Sequence, residues 1–310
     1  MDIRTFSFGY IPDKPDERDY KFNIPSLSSY PALVDLRLLL QPIKNQGNLG
    51  ACTAFATTAM AEYVRAKQQL IKWDASPLFT YYSTRKIENT INEDSGAYVR
   101  DALKSAANDG VAKESTWPYI IENFTINPPT SAWDEAQQHQ ALVYYRLNQT
   151  KEDIISCLAD GYPFAFGVRL YQSFVDTQTG FLVYNTVPMP NVSTEKLLGG
   201  HCMLAVGYLS GSQGDITITT RNSWGSWVGL DGYHNIPLEY FLNTSLCMDL
   251  WTIRQEEVAD DVEPPEPEPV TPPEPPKPEP VTPPEPGIWS QPTTYVVIFF
   301  ILMLILFTIL

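Results

Sequence analysis

An α+β protein of two lobes with a cleft between them is the architecture this sequence predicts. Three observations carry it. Apolar residues recur at helical spacing through the first half of the chain, short β-rich runs replace them beyond Tyr162, and a cysteine-bearing turn heads the first strong helical run.

The elements run in order along the chain. Cys52 to Gln69 repeats Phe55, Ala59, Met60, Tyr63 and Val64 along one helical face, and Pro77–Glu88 and Tyr98–Asn108 also read as helices. Strands are expected at Phe164–Leu170, Met203–Leu209, Asp215–Arg221 and Tyr233–Ile236. Residues 1–30 form an N-terminal extension and 31–254 the globular domain. Residues 255–287 are a Pro/Glu-rich spacer with PEPVTPPEP at Pro267–Pro275 and again at Pro278–Pro286. Such a stretch buries no core and favours polyproline II, so at ~3.1 Å per residue it reaches on the order of 90 Å. A proline-motif ligand for a partner domain is the functional alternative to a plain spacer.

Residues 288–310 close the chain. Tyr295–Leu310 carries no charge, and Trp289 suits an interfacial position, so this stretch is expected to be a single-pass transmembrane helix. No signal peptide is visible, which predicts a tail anchor with the globular domain in the cytosol. The four Asn-x-Ser/Thr sequons, at Asn123, Asn148, Asn191 and Asn243, are then silent.

Length and 44% hydrophobic content allow one large core or two small ones. The net charge of −15 argues against nucleic acid as a partner, and ten acidic residues against Lys277 between Gln255 and Pro286 account for much of it. Cys52, Cys157, Cys202 and Cys247 form no CxxC pair, so neither metal nor cofactor is expected, and free thiols fit a reducing compartment.

Chemistry concentrates at Gln46-Gly47-Asn48-Leu49-Gly50-Ala51-Cys52. A cysteine at a helix N-terminus has its thiolate stabilised by the helix dipole and unpaired N–H groups. The same N–H groups, with the Gln46 amide, suit an oxyanion. The base must come from three histidines. His139 lies in a polar run and is expected in solvent, and His234 follows a turn. His201 sits behind Gly199-Gly200, which allow close backbone approach, ahead of an apolar strand. Asn222 in Arg221-Asn222-Ser223-Trp224-Gly225 is suited to orient the imidazole, and Trp224 to cover their bond from water. Each signal alone is weak, since a lone cysteine is usually a small buried hydrophobe and a lone histidine usually structural. In order, Gln46, Cys52, His201 and Asn222 make a joint pattern.

With these blocks assembled, PIKNQGNLGACTAFA, HCMLAVGY and RNSWGSWVGLDGY resemble the three active-site blocks of papain-like cysteine peptidases, across residues 30–254. The resemblance implies a papain-like fold, an α-helical lobe carrying the nucleophile and a β-barrel lobe carrying His and Asn. It implies Cys52 as nucleophile, His201 as base and acid, Asn222 as orienter and Gln46 as oxyanion donor. By analogy with the family's glycine wall, Ser95 and Gly96 are candidates to pair with substrate backbone. Leu49, Thr53 and Gly200 depart from common family residues, the first replacing a disulfide cysteine. YIPDKPDERDY, EDSG and CLADGYPFAFGV look closer to a bacterial and large-DNA-virus branch, and the tail is similar to that of the cysteine proteinases of insect iridoviruses, which would put the anchor in a virion or host-cell membrane. The family's long helical pro-segment has no counterpart in the thirty-odd residues before the domain, so inhibition by a pro-segment is not expected.

The expected function is a membrane-anchored thiol endopeptidase acting on polypeptides through a Cys52 thioester. Two rival readings are a silent papain-fold peptide-binding scaffold and an acyl transferase using the same site.

Overall fold

The first helix, α1 (Cys52–Lys67), is buried along its whole length, with only Lys67 reaching the surface. Ala54, Ala56, Ala59, Ala61 and Ala66 keep it slim, so it packs against helices on one side and the sheet on the other. The structure is a computed structural model that describes residues 7–22, 29–174 and 186–257. The chain divides into two units, Met1–Pro264 and Pro265–Leu310, and every described residue belongs to the first. The spacer beyond residue 257 and the apolar run 288–310 lie outside the described residues. Among the described residues no helix is long and apolar enough to cross a membrane.

A short strand β1 (Tyr10–Ile11) and β2 (Leu33–Asp35) precede α1. The helical lobe continues with α2 (Pro77–Glu88), whose start and stop are chemically marked. The Ser76 hydroxyl accepts from the Phe79 N–H, Pro77 occupies the first turn, and Asn89 closes the helix at φ 59°. Next come β3 (Ala97–Tyr98), α3 (Val99–Asn108) and α4 (Thr130–Ala136). Helix α3 begins one residue later than the sequence predicts, because Tyr98 pairs with Ile11 in a two-stranded parallel ribbon.

The second lobe is a seven-stranded sheet, ordered β4-β9-β5-β6-β7-β8 with β2 added to β6, all pairs antiparallel. Its strands are β4 (Ala141–Arg146), β5 (Phe164–Tyr171), β6 (Leu197–Ser210), β7 (Ile216–Arg221), β8 (Tyr233–Pro237) and β9 (Cys247–Glu256), with helices α5 (Lys151–Ala159) and α6 (Leu238–Leu242). β6 starts six residues earlier than expected: Gly199 and Gly200 continue the ladder opposite Leu170 and Arg169. β9 runs two residues into the stretch assigned to the spacer. Phe164, Phe166, Tyr208, Trp224 and Phe241 centre the sheet lobe's core. A second core joins Met60 and Val64 of α1 to Leu204, Val206, Trp251 and Ile253.

His139 corrects the expectation of solvent exposure. It is 1% exposed, its ring lies 4.8 Å from that of Trp73, and its Nδ1 is 3.3 Å from an Arg65 nitrogen. Its carbonyl accepts the Val111 N–H, which draws the polar run inward. Leu49, where a family disulfide would attach, packs among Ala51, Ala54, Phe55, Leu78 and Tyr81, and all four cysteines are unpaired and buried.

Candidate active site

Cys52 is the first residue of α1, and the Ala51 N-cap offers no side chain to the helix's unpaired N–H groups. Burial pushes the thiol up to about 11, against backbone N–H groups of Cys202, Gly9 and Thr53 that favour the thiolate. The Cys202 contact sets the strand that carries His201 against the head of α1.

Hydrogen bonds fix the orientation of each neighbouring group. The Ser223 N–H donates to Asn222 Oδ1 over 2.7 Å, which identifies that atom as oxygen. His201 Nε2, 2.9 Å from the same oxygen, is therefore the donor, leaving Nδ1 as the basic nitrogen. That Nδ1 is buried and has no hydrogen-bond partner among the described residues. Burial drives the imidazole down to about 4, opposed by the Asn222 hydrogen bond. Trp224, fully buried, stacks on the ring, centroids 4.1 Å apart and planes 17° apart.

Asn222 has a second partner that sequence reasoning missed. Its Nδ2 lies 3.2 Å from His234 Nε2, so that nitrogen accepts. The hairpin β7–β8 creates the meeting by placing His234 opposite Thr220. The one available signal was a histidine twelve residues after Asn222, on the strand that follows the one ending at Arg221. Gln46 is equally fixed: its Oε1 accepts from Ser223 Oγ over 2.5 Å, and its Nε2 donates to the carbonyls of Leu49 and Ser7 at 2.9 and 3.2 Å.

The Ser7 contact belongs to a longer feature. Residues 7–11 lie in the groove that runs past Cys52, contrary to the expectation that the N-terminal extension is too short to block it. The expectation assumed a helical pro-segment; this segment is extended and held by backbone contacts. Ala97 N–H donates to the Gly9 carbonyl over 2.8 Å, and Tyr10 and Ile11 pair with Ala97 and Tyr98. Glycines line the path. A Cβ on Gly96 would stand 2.3 Å from the Gly9 oxygen, one on Gly199 2.7 Å from the Phe8 ring, and one on Gly200 2.7 Å from the Tyr10 oxygen. The Gly96 N–H donates to the Tyr81 hydroxyl over 3.1 Å, and Ser95 turns its hydroxyl to Thr90.

A buried ionic cluster anchors residues 13–19, beyond the groove. The Arg100 guanidinium binds Asp19 through two bonds of 2.7 and 2.6 Å and the Lys14 carbonyl through a third. Arg146 bridges Asp19 and Asp249, and Trp251 Nε1 donates to Asp13. Among the described residues no group of three His, Cys, Asp or Glu side chains is placed to hold a metal ion.

Comparison with known proteins bears on the family and the fold. The model of the papain family cysteine proteases matches residues 30–246. The chain is 35% identical over 294 residues to an uncharacterized peptidase C1-like protein of Acanthamoeba polyphaga mimivirus, a large DNA virus, covering 84% of this chain and 91% of that protein. Xylellain, a cysteine protease from Xylella fastidiosa, superposes with a TM-score of 0.74 at 34% identity, over 81% of this chain and 97% of its own. Procathepsin L2 of Tenebrio molitor, at 21% identity and a TM-score of 0.62 over 80% of this chain and 78% of its own, shares the fold.

Proposed function

The chain belongs to the papain family of cysteine proteases, hydrolases of peptide bonds, and from that premise we propose that Cys52, His201, Asn222 and Gln46 form its catalytic site. The Cys52 Sγ passes its proton to His201 Nδ1 and attacks a substrate carbonyl. Gln46 Nε2 and the Cys52 N–H donate to the oxyanion that forms. His201 protonates the departing amine, leaving a thioester that water, deprotonated by the same imidazole, hydrolyses. Asn222 holds the imidazole in the tautomer this requires, and Trp224 keeps water from their bond.

The observation that carries the reading is His201 itself, with Nε2 committed to Asn222 and Nδ1 a buried acceptor with no partner among the described residues. The full chain, and a Tyr10→Ala form whose groove is less filled, should take a peptidyl epoxide covalently at Cys52. Cys52→Ala should take none. Labelling at another cysteine, or none in the reduced Tyr10→Ala form, refutes the assignment. Peptide binding without turnover would indicate a scaffold, and amine incorporation a transferase.

The reading extends to a tether. The uncharged run Tyr295–Leu310 behind a Pro/Glu spacer supports a C-terminal single-pass anchor that holds the peptidase on the cytosolic face of a membrane. The relationship to a large-DNA-virus protein makes a virion or host-cell membrane the place to look. The expressed chain should resist alkaline carbonate extraction, whereas a chain ending at Pro286 should be released. Glycan on Asn123, Asn148, Asn191 or Asn243 would overturn the cytosolic orientation.

A further inference from the structure

Tyr10 occupies a cavity that reaches from the groove into the sheet lobe. The side chain is 6% exposed and packs in one cluster with Cys52, Ala165, Cys202 and Trp251. Two glycines shape the space. A Cβ on Gly167 would lie 2.0 Å from the ring carbon bearing the hydroxyl, and one on Gly200 would lie 3.1 Å from the ring's Cδ1. Any other residue at Gly167 would close the pocket to a ring of this length.

The floor is polar. The Tyr10 hydroxyl donates to Asp249 Oδ2 over 2.5 Å, and Asp249 is 4% exposed. Asp249 is held there at a backbone cost. Its φ is 55°, in the left-handed region that aspartate adopts only with strain. It lies at an irregularity in the β5–β9 ladder, where Ala165 pairs with Trp251 but Gly167 with Met248, so three steps on β9 answer two on β5. The extra residue turns Asp249 inward, the use to which sheets near active sites put bulges.

We propose that the Tyr10 cavity is the specificity pocket of the substrate groove and that it selects a tyrosine side chain, whose hydroxyl donates to Asp249. The inference rests on the peptidase reading above and names the side chain that its site prefers. When Ser7–Asp13 leaves the groove, Asp249 Oδ2 loses both its donors, the Tyr10 hydroxyl and the Asp13 N–H at 2.7 Å. The other oxygen keeps Arg146 Nη2 at 2.6 Å. The vacated pocket is therefore aromatic in shape and ends in a buried acceptor whose charge is already balanced. A phenylalanine fills the shape but leaves the acceptor bare, a loss that sites built to bind a hydroxyl penalise heavily. An arginine or lysine meets the positive charge of Arg146. Tyrosine satisfies both demands, and burial beside Asp249 keeps such a phenol in its protonated, donating form, as it does for Tyr10.

The test uses the full chain carrying Tyr10→Ala, which empties the cavity. Fluorogenic peptides vary one residue at a time before the scissile bond among tyrosine, phenylalanine and arginine. At one position tyrosine should exceed both others at least tenfold in kcat/KM. Asp249→Gly, which suits the left-handed backbone, should bring tyrosine within twofold of phenylalanine. Asp249→Asn, which keeps an acceptor, should give an intermediate ratio. The tyrosine–phenylalanine comparison needs no change at Asp249 and stands if the glycine variant fails to fold. A preference below twofold at every position, an arginine preference, or a tyrosine preference that survives Asp249→Gly overturns the proposal. Failure of the peptidase reading looks different: no peptide of the set is cut.

Discussion

Arg100→Met should open the groove. In the native chain the Arg100 and Asp19 side chains are 9% and 8% exposed, and two bonds join them. Methionine preserves the apolar stem and removes the fork that holds Asp19 and the Lys14 carbonyl. Removing one partner of a buried pair costs about 3–5 kcal/mol when the other is left uncompensated. Asp19 retains Arg146 at 2.9 Å, which brings the expected loss to about 2–3 kcal/mol. Because residues 13–22 carry most of these contacts, the loss falls on the segment's attachment and raises its open population roughly 30- to 150-fold. The assay is the rate of iodoacetamide addition at Cys52 in the full chain, read by peptide mass spectrometry. Cys157 and Cys247, both 0% exposed in the sheet-lobe core, are internal controls. Local opening accelerates Cys52 alone, whereas global loosening accelerates all three. A Cys52 rate within threefold of the parent, or equal acceleration at the controls, would refute the claim that this ion pair latches the segment.

Two further outcomes rest on the same geometry. Gln46→Ala, measured in the Tyr10→Ala background, should lower kcat by roughly 10²–10³ with little change in KM, as for loss of one oxyanion donor. Ser223→Ala, which removes only the anchor on Gln46 Oε1, should cost less. His201 titrates at about 4 when folded against an ordinary 6.5, so between those values the unfolded chain binds a proton that the folded chain refuses. Stability is then full above pH 6.5 and falls as pH drops through the window, by about 3 kcal/mol in total. Urea midpoints at pH 7, 5.5 and 4 should show the decline, and His201→Gln should flatten it.

Much of the site was legible because its chemistry demands residue types that the sequence displays in order. Cys52 heads the helix its spacing predicts, and His201, Asn222 and Trp224 meet as their blocks imply. What escaped depends on geometry that no residue type announces. His234 reaches Asn222 only through the β7–β8 register. Asp249 is turned into its pocket by one extra residue in β9 and a positive φ, and nothing in Met248-Asp249-Leu250 signals either. The segment 7–11 shows no periodicity because its partners are carbonyls, N–H groups and glycine surfaces. Gly96, Gly167, Gly199 and Gly200 stand far apart in the chain, and their common purpose appears only when one strand lies across all four.

Occupation of the groove and the charge state of the thiol–imidazole pair are linked. With the segment in place, burial dominates both groups, holding the thiol near about 11 and the imidazole near about 4, so the neutral pair is the favoured form. On the proposed mechanism, water admitted by the segment's departure would relieve the desolvation that set those values, and a thiolate–imidazolium form would become accessible under the same conditions that expose the Gln46 donor. The segment is also tethered, so it competes with substrate as though present at roughly millimolar concentration. A peptide entering the groove must displace Tyr10 from Asp249 and Ser7 from Gln46 together. Loss of the Arg100 fork should lower that effective concentration without touching Cys52, His201, Asn222 or Gln46, so its effect is expected on access to the groove and not on the chemical step.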